Sequence, residues 1–553
     1  MNEARPWLKK YPAGIPANIN PDQYPSLVNL LSETFQKFAH HKAFTCMGQS
    51  LTYQQVDLLS NSFGAYLQSR GLKPGDKIAL MMPNMLQYPI ALFGAIKAGL
   101  VVVNTNPLYT PREMLHQFKD SGSKAIVIAE NFASNLEKII RETEIQTVII
   151  TSIGEMLGFP KKQIVNFVVR KVKKMVPRYV LPNTVTVSEA IKQGKRFTLP
   201  ERQNHPDEVI LLQYTGGTTG ISKGAMLTNR NIVANMIQIR AWLLPFLDEG
   251  KEIALCPLPL YHIFAFTVNC LGLMSFGAET VLVTNARDLD SVIKAIKSAP
   301  ISLISGVNTL FNALLNHKDF AQLDFSTLKA TVGGGMAVQK PVAEKWKMVT
   351  GCTLSEGFGM TESSPVVTVN PLDGTCKIGS IGLPIPSTDV RIVNDDGVEV
   401  PTGEIGEIQV KGPQVMKGYY NRPEATKEAI KEGWLCTGDI GKMDEDGFFS
   451  IVDRKKDMIL VSGFNVFPNE IEEVLATHPK ILEAAAIGIP NEKSGEAVKI
   501  YVVKKEKNLS EKEVLAFCKE NLTGYKVPKE IEFISELPKT NVGKILRRAL
   551  RSD

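Results

Sequence analysis

Little in this chain could fix a metal or a disulfide framework. Its cysteines (Cys46, Cys256, Cys270, Cys352, Cys376, Cys436 and Cys518) number seven and include no Cys-x-x-Cys pair. An odd, scattered set of this kind predicts reduced thiols in the cytoplasm, and neither disulfides nor zinc. The seven histidines show no metal-ligand spacing either. Uncharged apolar stretches of membrane-spanning length are missing: even residues 90–103 are interrupted by Lys97. Residues 1–16 lack an apolar core behind their charges, so a secretory signal is not expected, and the final Arg-Ser-Asp is no peroxisomal address. The net charge of +6 comes from 63 cations against 57 anions, without a recognition motif, which argues against a nucleic-acid partner. Internal repeats and low-complexity tracts are absent.

What is present is ordinary globular material in quantity. The chain has 553 residues, 44% hydrophobic and 22% charged, enough for two or more domains with large cores. Leu51-Thr52-Tyr53 reads as a strand edge, followed by a helix carrying Val56, Leu59, Phe63 and Leu67 on one stripe. Strands are predicted at residues 78–82, 101–103, 125–128 and 147–150, with a helix at 90–98. Such alternation predicts an α/β fold of mainly parallel sheets covered by helices on both faces.

One segment stands apart chemically: Tyr214-Thr215-Gly216-Gly217-Thr218-Thr219-Gly220-Ile221-Ser222-Lys223-Gly224, after the apolar strand Val209-Ile210-Leu211-Leu212. Its glycines allow a tight turn that exposes backbone N–H groups, its hydroxyls add donors, and Lys223 adds a compact positive charge. A polyphosphate could be held this way. The loop is not a Walker motif, which requires Gly-Lys-Ser/Thr, whereas here Ser222 precedes Lys223-Gly224. Alone, the segment also reads as a flexible surface loop.

Further motifs follow in order: Gly333-Gly334-Gly335, Gly357-Phe358-Gly359-Met360-Thr361-Glu362, Trp434-Leu435-Cys436-Thr437-Gly438-Asp439, Asp453-Arg454-Lys455-Lys456-Asp457, and Pro538-Lys539-Thr540-Asn541-Val542-Gly543-Lys544. With the phosphate loop, this series resembles the adenylate-forming superfamily of acyl-CoA synthetases, luciferases and peptide-synthetase adenylation domains. Residues 432–456 resemble the signature of its bacterial long-chain fatty-acid–CoA ligases. The likeness covers almost the whole chain.

The resemblance implies a large N-terminal adenylation domain over 1–452 that includes a small barrel-like subdomain. A hinge at 453–457 and a small mobile α+β domain over 458–553 would follow it. It implies fatty acid, ATP and CoA as substrates, Mg2+ as cofactor, and it leaves room for a homodimer. Tyr214, Thr215, Gly216, Gly217, Thr218, Thr219, Gly220, Ser222 and Lys223 would surround the phosphates, with Thr218 and Glu362 holding Mg2+. Gly334, Gly335 and Gly357 would let adenine lie flat on backbone, with Thr361 in the same nucleotide site. Asp439 would accept from the ribose hydroxyls, assisted by Arg454. Lys544 would bridge substrate carboxylate and α-phosphate, and Lys456 would be the pivot that lets Gly463 face the CoA arm. His262, in Pro257-Leu258-Pro259-Leu260-Tyr261-His262, matches a family Pro-Leu-x-His spacing; it would orient the carboxylate, with Phe266 gating the acyl tunnel. Read without the family, His262 is an ordinary core histidine, Lys544 is one cation among many, and 453–457 is a solvated linker.

Residues 156–188 hold Lys161, Lys162, Arg170, Lys171, Lys173, Lys174 and Arg178 and no acidic residue. At helical spacing Ile164, Val165, Val168, Val169, Val172, Met175 and Val176 share one face, opposite Asn166, Arg170, Lys173 and Lys174. The pattern suits the surface of an anionic membrane, and equally a helix packed on its own domain with a basic back. A lipid-derived substrate favours the first, peripheral on the inner face of the membrane. Two other activities fit the chain: a fatty acyl-AMP ligase feeding a carrier protein, and a non-catalytic lipid-binding protein.

Overall fold

In a computed structural model the described residues are 5–215, 222–491, 494–540 and 543–551. Two large sheets organise the first four-fifths of them. One has eight strands, with Lys77–Met81, Val101–Asn104, Ser123–Ala129, Thr147–Thr151 and Val209–Thr215 running parallel at its centre. The other has nine, with Ile253–Cys256, Leu303–Gly306, Ala330–Gly334 and Leu354–Gly359 parallel side by side. The predicted apolar runs are these central strands. Residues 78–81 are all 0% exposed, because helices cover both faces of a parallel sheet and leave no polar side to alternate with.

The helix Tyr53–Ser69 begins at a reciprocal cap: Thr52 Oγ1 accepts from Gln55 N–H, and the Gln55 side chain accepts from Thr52 N–H. Its Val56, Phe63 and Leu67 are buried as the stripe predicted. The helices Gln87–Lys97 and Asn229–Leu243 are buried around most of their circumference. A third, five-stranded antiparallel sheet, led by Asp389–Val393, Gly406–Lys411, Trp434–Met443 and Phe449–Arg454, is the small subdomain.

The smaller C-terminal unit pairs Ile481–Asn491 with Gly495–Lys504, adds the hairpin Ile459–Val461 and Phe464–Val466, and is covered by helices Pro468–Ala476 and Glu511–Asn521. It has its own core around Ile471, Leu475, Val498, Ile500, Val514 and Cys518, which is what lets a domain exist as a separate body.

The charged run 453–457 departs from the reading of a solvated linker. Asp453 and Arg454 still belong to the strand Phe449–Arg454, paired with Ile440 and Asp439. The Asp453 side chain is fully buried, accepting from Arg454 N–H at 2.7 Å and from Asn469 N–H at 2.8 Å. Burial pushes its carboxyl up to about 6, while nearby Arg547 pulls it back. Arg547 also grips Glu472, Asn469 and Asp457. Arginines distant in the chain make this charge run an internal junction, and no local pattern announces them.

The basic segment departs too. Asn166, expected to face away, is buried: its Oδ1 accepts from Gly154 N–H and its Nδ2 donates to Ser152 Oγ. Arg170 forks onto the buried carboxylate of Glu130 at 2.7 and 2.9 Å. The helix therefore docks through Asn166 and Val169, with Arg170 tied to Glu130, while Lys173 and Lys174 stay exposed. Phe159, Ile164, Phe167, Val172, Met175 and Val180, 50–86% exposed, point outward among the lysines.

Candidate active site

A cavity of about 690 Å3 lies where strands of both sheets end and the C-terminal unit closes over them. Thr215, Gly334 and Gly359, each the last residue of its strand, lie on its wall. Carboxyl ends of parallel strands are the usual place for a ligand in such sheets.

The strands Val209–Thr215 and Lys223–Thr228 are antiparallel and pair Thr215 with Lys223 and Tyr214 with Gly224. Tyr214, Thr215 and Lys223 line the cavity. Gly216, Gly217, Thr218, Thr219 and Gly220 lie outside the described residues. Ser222 is not on the wall; its carbonyl accepts from His116 Nε2 at 3.1 Å, which puts the imidazole proton on that nitrogen. The Tyr214 hydroxyl donates to Asp120 at 2.7 Å, and Arg422 holds the other oxygen of that carboxylate.

Glu362 is buried on the wall beside Thr361 and accepts from the Tyr419 hydroxyl at 2.7 Å. The Lys223 ammonium sits 5.3 Å from the centre of the Tyr419 ring. Burial and the Glu362 charge push the Tyr419 phenol well up, so it stays a donor.

Gly334 and Gly357 face each other across adjacent strands. A methyl group on Gly334 would stand 3.1 Å from the Gly357 carbonyl oxygen, and one on Gly357 3.2 Å from that of Thr368. The wall there is bare backbone, flat enough for an aromatic base. Asp439 lies behind Thr437 and Arg454, which are on the wall. Its N–H donates to Thr437 Oγ1, and one carboxylate oxygen meets Arg454 Nε at 3.1 Å. The other oxygen is buried with no partner among the described residues. Burial raises this carboxyl against the pull of Arg454.

Lys544 reaches the same cavity from the C-terminal unit. It follows Gly543, whose φ of +85° and carbonyl bond to Thr309 Oγ1 at 3.0 Å shape the turn. A methyl group at Gly543 would stand 2.8 Å from that hydroxyl, so glycine is required. The Lys544 stem lies over Gly335, its Cε 3.1 Å from where a Gly335 Cβ would be. Burial, then the charge of Arg454, lowers the ammonium to about 8, with Asp439 and Glu362 opposing.

His262 lies across from it on the wall. Burial and then the Lys544 charge push the imidazole down to about 3, so it is neutral. Its Nδ1 accepts from Phe264 N–H at 3.4 Å, leaving the proton on Nε2. Buried amides that composition does not reveal fix the His262 loop. Asn84 donates to the Cys256 and Leu258 carbonyls and accepts from Leu260 N–H. Gln213 donates to the Tyr261 carbonyl at 2.9 Å and accepts from Asn104.

Beyond His262 the wall turns apolar, with Ile239, Leu243, Val268, Leu273, Ile304 and Ile385. Phe266 is not part of it. The chain winds as an α-turn over Ile263–Ala265 and then as a π-helix over Phe266–Gly272. Phe264 and Val268 meet the cavity, and Phe266, 0% exposed, packs into the core. The expected gate rested on a family position four residues after His262, and in this structure that position is buried in a π-helical turn off the cavity wall.

Gly463 is not brought to the cavity either. With Ser462 it forms the tip of the hairpin between Ile459–Val461 and Phe464–Val466, at φ +83° and +51°, and open space surrounds it. Lys456 stays off the wall as well; burial and Arg454 lower its ammonium to about 8.

Comparison with known proteins agrees with this geometry. The AMP-binding enzyme model matches residues 31–420, and the AMP-binding enzyme C-terminal domain model matches 470–544. The chain is 55% identical over 548 residues to a long-chain-fatty-acid–CoA ligase of Escherichia coli O6:H1, covering 99% of this chain and 98% of the relative. It is 39% identical over 553 residues to the ligase of the same name from Bacillus subtilis, covering 100% and 98%. Among solved structures, the anthranilate CoA ligase AuaEII with anthranoyl-AMP aligns with a TM-score of 0.85 at 25% identity, over 96% of this chain and 98% of that one. ATP-bound MatB from Rhodopseudomonas palustris aligns at 0.82 and 27%, over 95% and 98%. This chain therefore belongs to the AMP-binding enzyme family.

Proposed function

We propose that the protein is an ATP-dependent long-chain fatty-acid–CoA ligase, working in fatty-acid uptake and β-oxidation. The observation that carries this reading is one cavity in which a backbone-lined polar half and a hydrocarbon half meet at His262 and Lys544. The full-length likeness to ligases of that name supports it.

In the first step a fatty carboxylate oxygen attacks the α-phosphorus of ATP, and pyrophosphate leaves. Both partners are anionic, so the protein's task is to neutralise and align. Lys544 supplies the charge between them, and His262 Nε2–H fixes the carboxylate. Arg454 and the unpaired Asp439 oxygen hold the ribose, and adenine lies over Gly334, Gly335 and Gly357. Glu362 suits Mg2+: it is a hard oxygen donor at the polar end, and no cluster of three metal-binding side chains exists among the described residues. Such a site fits an ion that takes its other oxygens from phosphate and water. With Thr218 it would hold the ion, which offsets phosphate charge when bound.

In the second step the CoA thiol attacks the acyl carbon and AMP leaves. We assign 1–452 to the adenylating domain, 453–457 to the hinge and 458–553 to the mobile domain. Rotation about Lys456 would withdraw Lys544 and bring the Gly463 tip to the cavity. The Asp453–Asn469 and Asp453–Arg547 contacts would hold the adenylating arrangement until then.

Incubation with hexadecanoic acid, ATP and CoA tests the reading: pyrophosphate and hexadecanoyl-CoA, separated by chromatography, are expected. No pyrophosphate would sink it. Pyrophosphate without thioester would favour an acyl-AMP ligase serving a carrier protein.

Peripheral contact with an anionic membrane is part of the proposal. No helix among the described residues is long and apolar enough to cross one. Support comes from the outward Phe159, Ile164, Phe167 and Val172 beside Lys171, Lys173 and Lys174. Since Arg170 is engaged by Glu130, the variant to make is Ile164→Asp with Phe167→Asp. It should no longer sediment with phosphatidylglycerol vesicles, and unchanged sedimentation would refute the contact.

A further inference from the structure

Residues 5–19 join no sheet, yet they are tied to the body of the protein at several points. Arg5 forks onto Asp389 at 2.6 and 3.0 Å. Trp7, itself buried, meets the Phe449 ring edge-on with 5.9 Å between ring centres. Further along, the Ala17 carbonyl accepts from Ser387 N–H at 3.0 Å, and Ile19 N–H donates to Ser387 Oγ at 2.9 Å. Between these anchors stands Tyr11. Its ring centre lies 5.5 Å from that of Trp242, the planes at 88°, and its hydroxyl donates to the Pro384 carbonyl. Trp242 lines the cavity, as does Ile385, the residue after Pro384, and both are buried. They come from different elements, the end of the helix Asn229–Leu243 and the residue following the strand Leu383–Pro384. Tyr11 is not itself on the wall; it stands behind two pieces of it.

An alkyl chain makes no directional bonds, so a slot for one selects by shape alone. The shape holds only as well as the packing behind each wall side chain, because a gap there lets the side chain relax outward. Trp242 is the largest side chain of the apolar half, so its position counts for most. Tyr11 backs it in the edge-to-face arrangement that aromatic pairs prefer. The hydroxyl bond to Pro384 fixes the backing ring in turn. Burial pushes the Tyr11 phenol well up against the pull of Arg5, so the hydroxyl stays a donor at neutral pH.

Resting on the ligase reading above, we propose that Tyr11 is a positioning residue for acyl-chain selection: by backing the Trp242 indole it fixes the volume of the slot and so limits the length of fatty acid that is activated.

The experiment measures kcat/KM for acyl-CoA formation from eicosanoic and hexadecanoic acids with the full chain, and reads their ratio. Tyr11→Ala should raise the ratio several-fold, because the indole gains room to move out of the slot. Tyr11→Phe keeps the ring and should move the ratio much less. Trp242→Ala should raise it alone, and adding Tyr11→Ala to that variant should change it little further, since residues acting through one contact are not additive. If Tyr11→Ala does not fold, Tyr11→Leu, which keeps apolar bulk without the ring, is read in the same way. A strap that merely supports the fold would slow both acids by one factor. A ratio that stays or falls when the Tyr11 ring is removed, or that shifts independently in the double variant, therefore overturns the proposal and leaves the ligase reading intact. A wild type that makes no hexadecanoyl-CoA overturns both.

Discussion

On the polar side of the cavity, which we propose takes the nucleotide, the wall is backbone and charge. Gly334 and Gly357 leave peptide planes bare, and Glu362, Arg454, Asp439 and Lys544 stand at fixed points of short segments. On the acyl side the wall is hydrocarbon contributed by Ile239, Leu273, Ile304 and Ile385, which come from distant helices and strands and share no segment. A polyphosphate and a base need particular atoms at particular places, whereas an alkyl chain needs only a shape lined with CH groups. Substitutions in the first half should therefore cost more than volume-preserving ones in the second. Changes on the polar side should act alike on every chain length; changes on the apolar side should act through chain length.

The largest effect is expected from Lys544→Ala. Pyrophosphate release should fall by about 10²–10³, as when one preorganised charge-stabilising donor is lost, and by the same factor for octanoate and hexadecanoate. Conversion of supplied acyl-AMP to acyl-CoA should survive. Equal loss of both half-reactions, or a loss that varies with chain length, would break the division.

The pH profile gives a graded form of the same test. With the Lys544 ammonium lowered to about 8, the charged form prevails below that pH and is lost above it. Adenylation should then fall towards tenfold per unit as pH rises through 8. A profile flat to pH 9 would show that the charge is dispensable. At the next level, Lys456→Pro should slow thioester formation from supplied acyl-AMP several-fold more than it slows adenylation, since it stiffens the turn at the proposed pivot. Equal slowing would place the pivot elsewhere.

The same contrast explains what could be read from sequence. Strands such as 78–81 and 101–103 were legible because burial on both faces leaves unbroken apolar runs. Gly334, Gly357, Glu362 and Lys544 were singled out by their resemblance to the family's motifs, and the structure puts all four on one cavity wall. The acyl wall was not: Trp242 sits on a helix buried around most of its girth, so no stripe singles out the residue that faces the slot. Phe266 was placed by family position alone, and the π winding that buries it off the wall is invisible in the residue list. Asn166 and Arg170 misled for a related reason. Buried partners elsewhere, Ser152, Gly154 and Glu130, hold these two side chains, while Lys173 and Lys174 stay exposed.

The smallest effect should come from the acyl wall, and it sharpens the comparison most. Leu273 is buried, lines the apolar half, and has no part in binding charge. Leu273→Ala removes a few methyl and methylene groups, and the space it leaves can be filled only by substrate or by collapse. A methylene in a hydrophobic pocket is worth about 1–3 kcal/mol, so discrimination between neighbouring chain lengths should move by about tenfold, towards longer or bulkier chains. Pyrophosphate release at saturating substrate should change far less than the ratio of kcat/KM values across the series. If every chain length were instead slowed by one factor, Leu273 would be supporting the nucleotide wall, and the boundary between the two halves would have to be drawn deeper in the cavity.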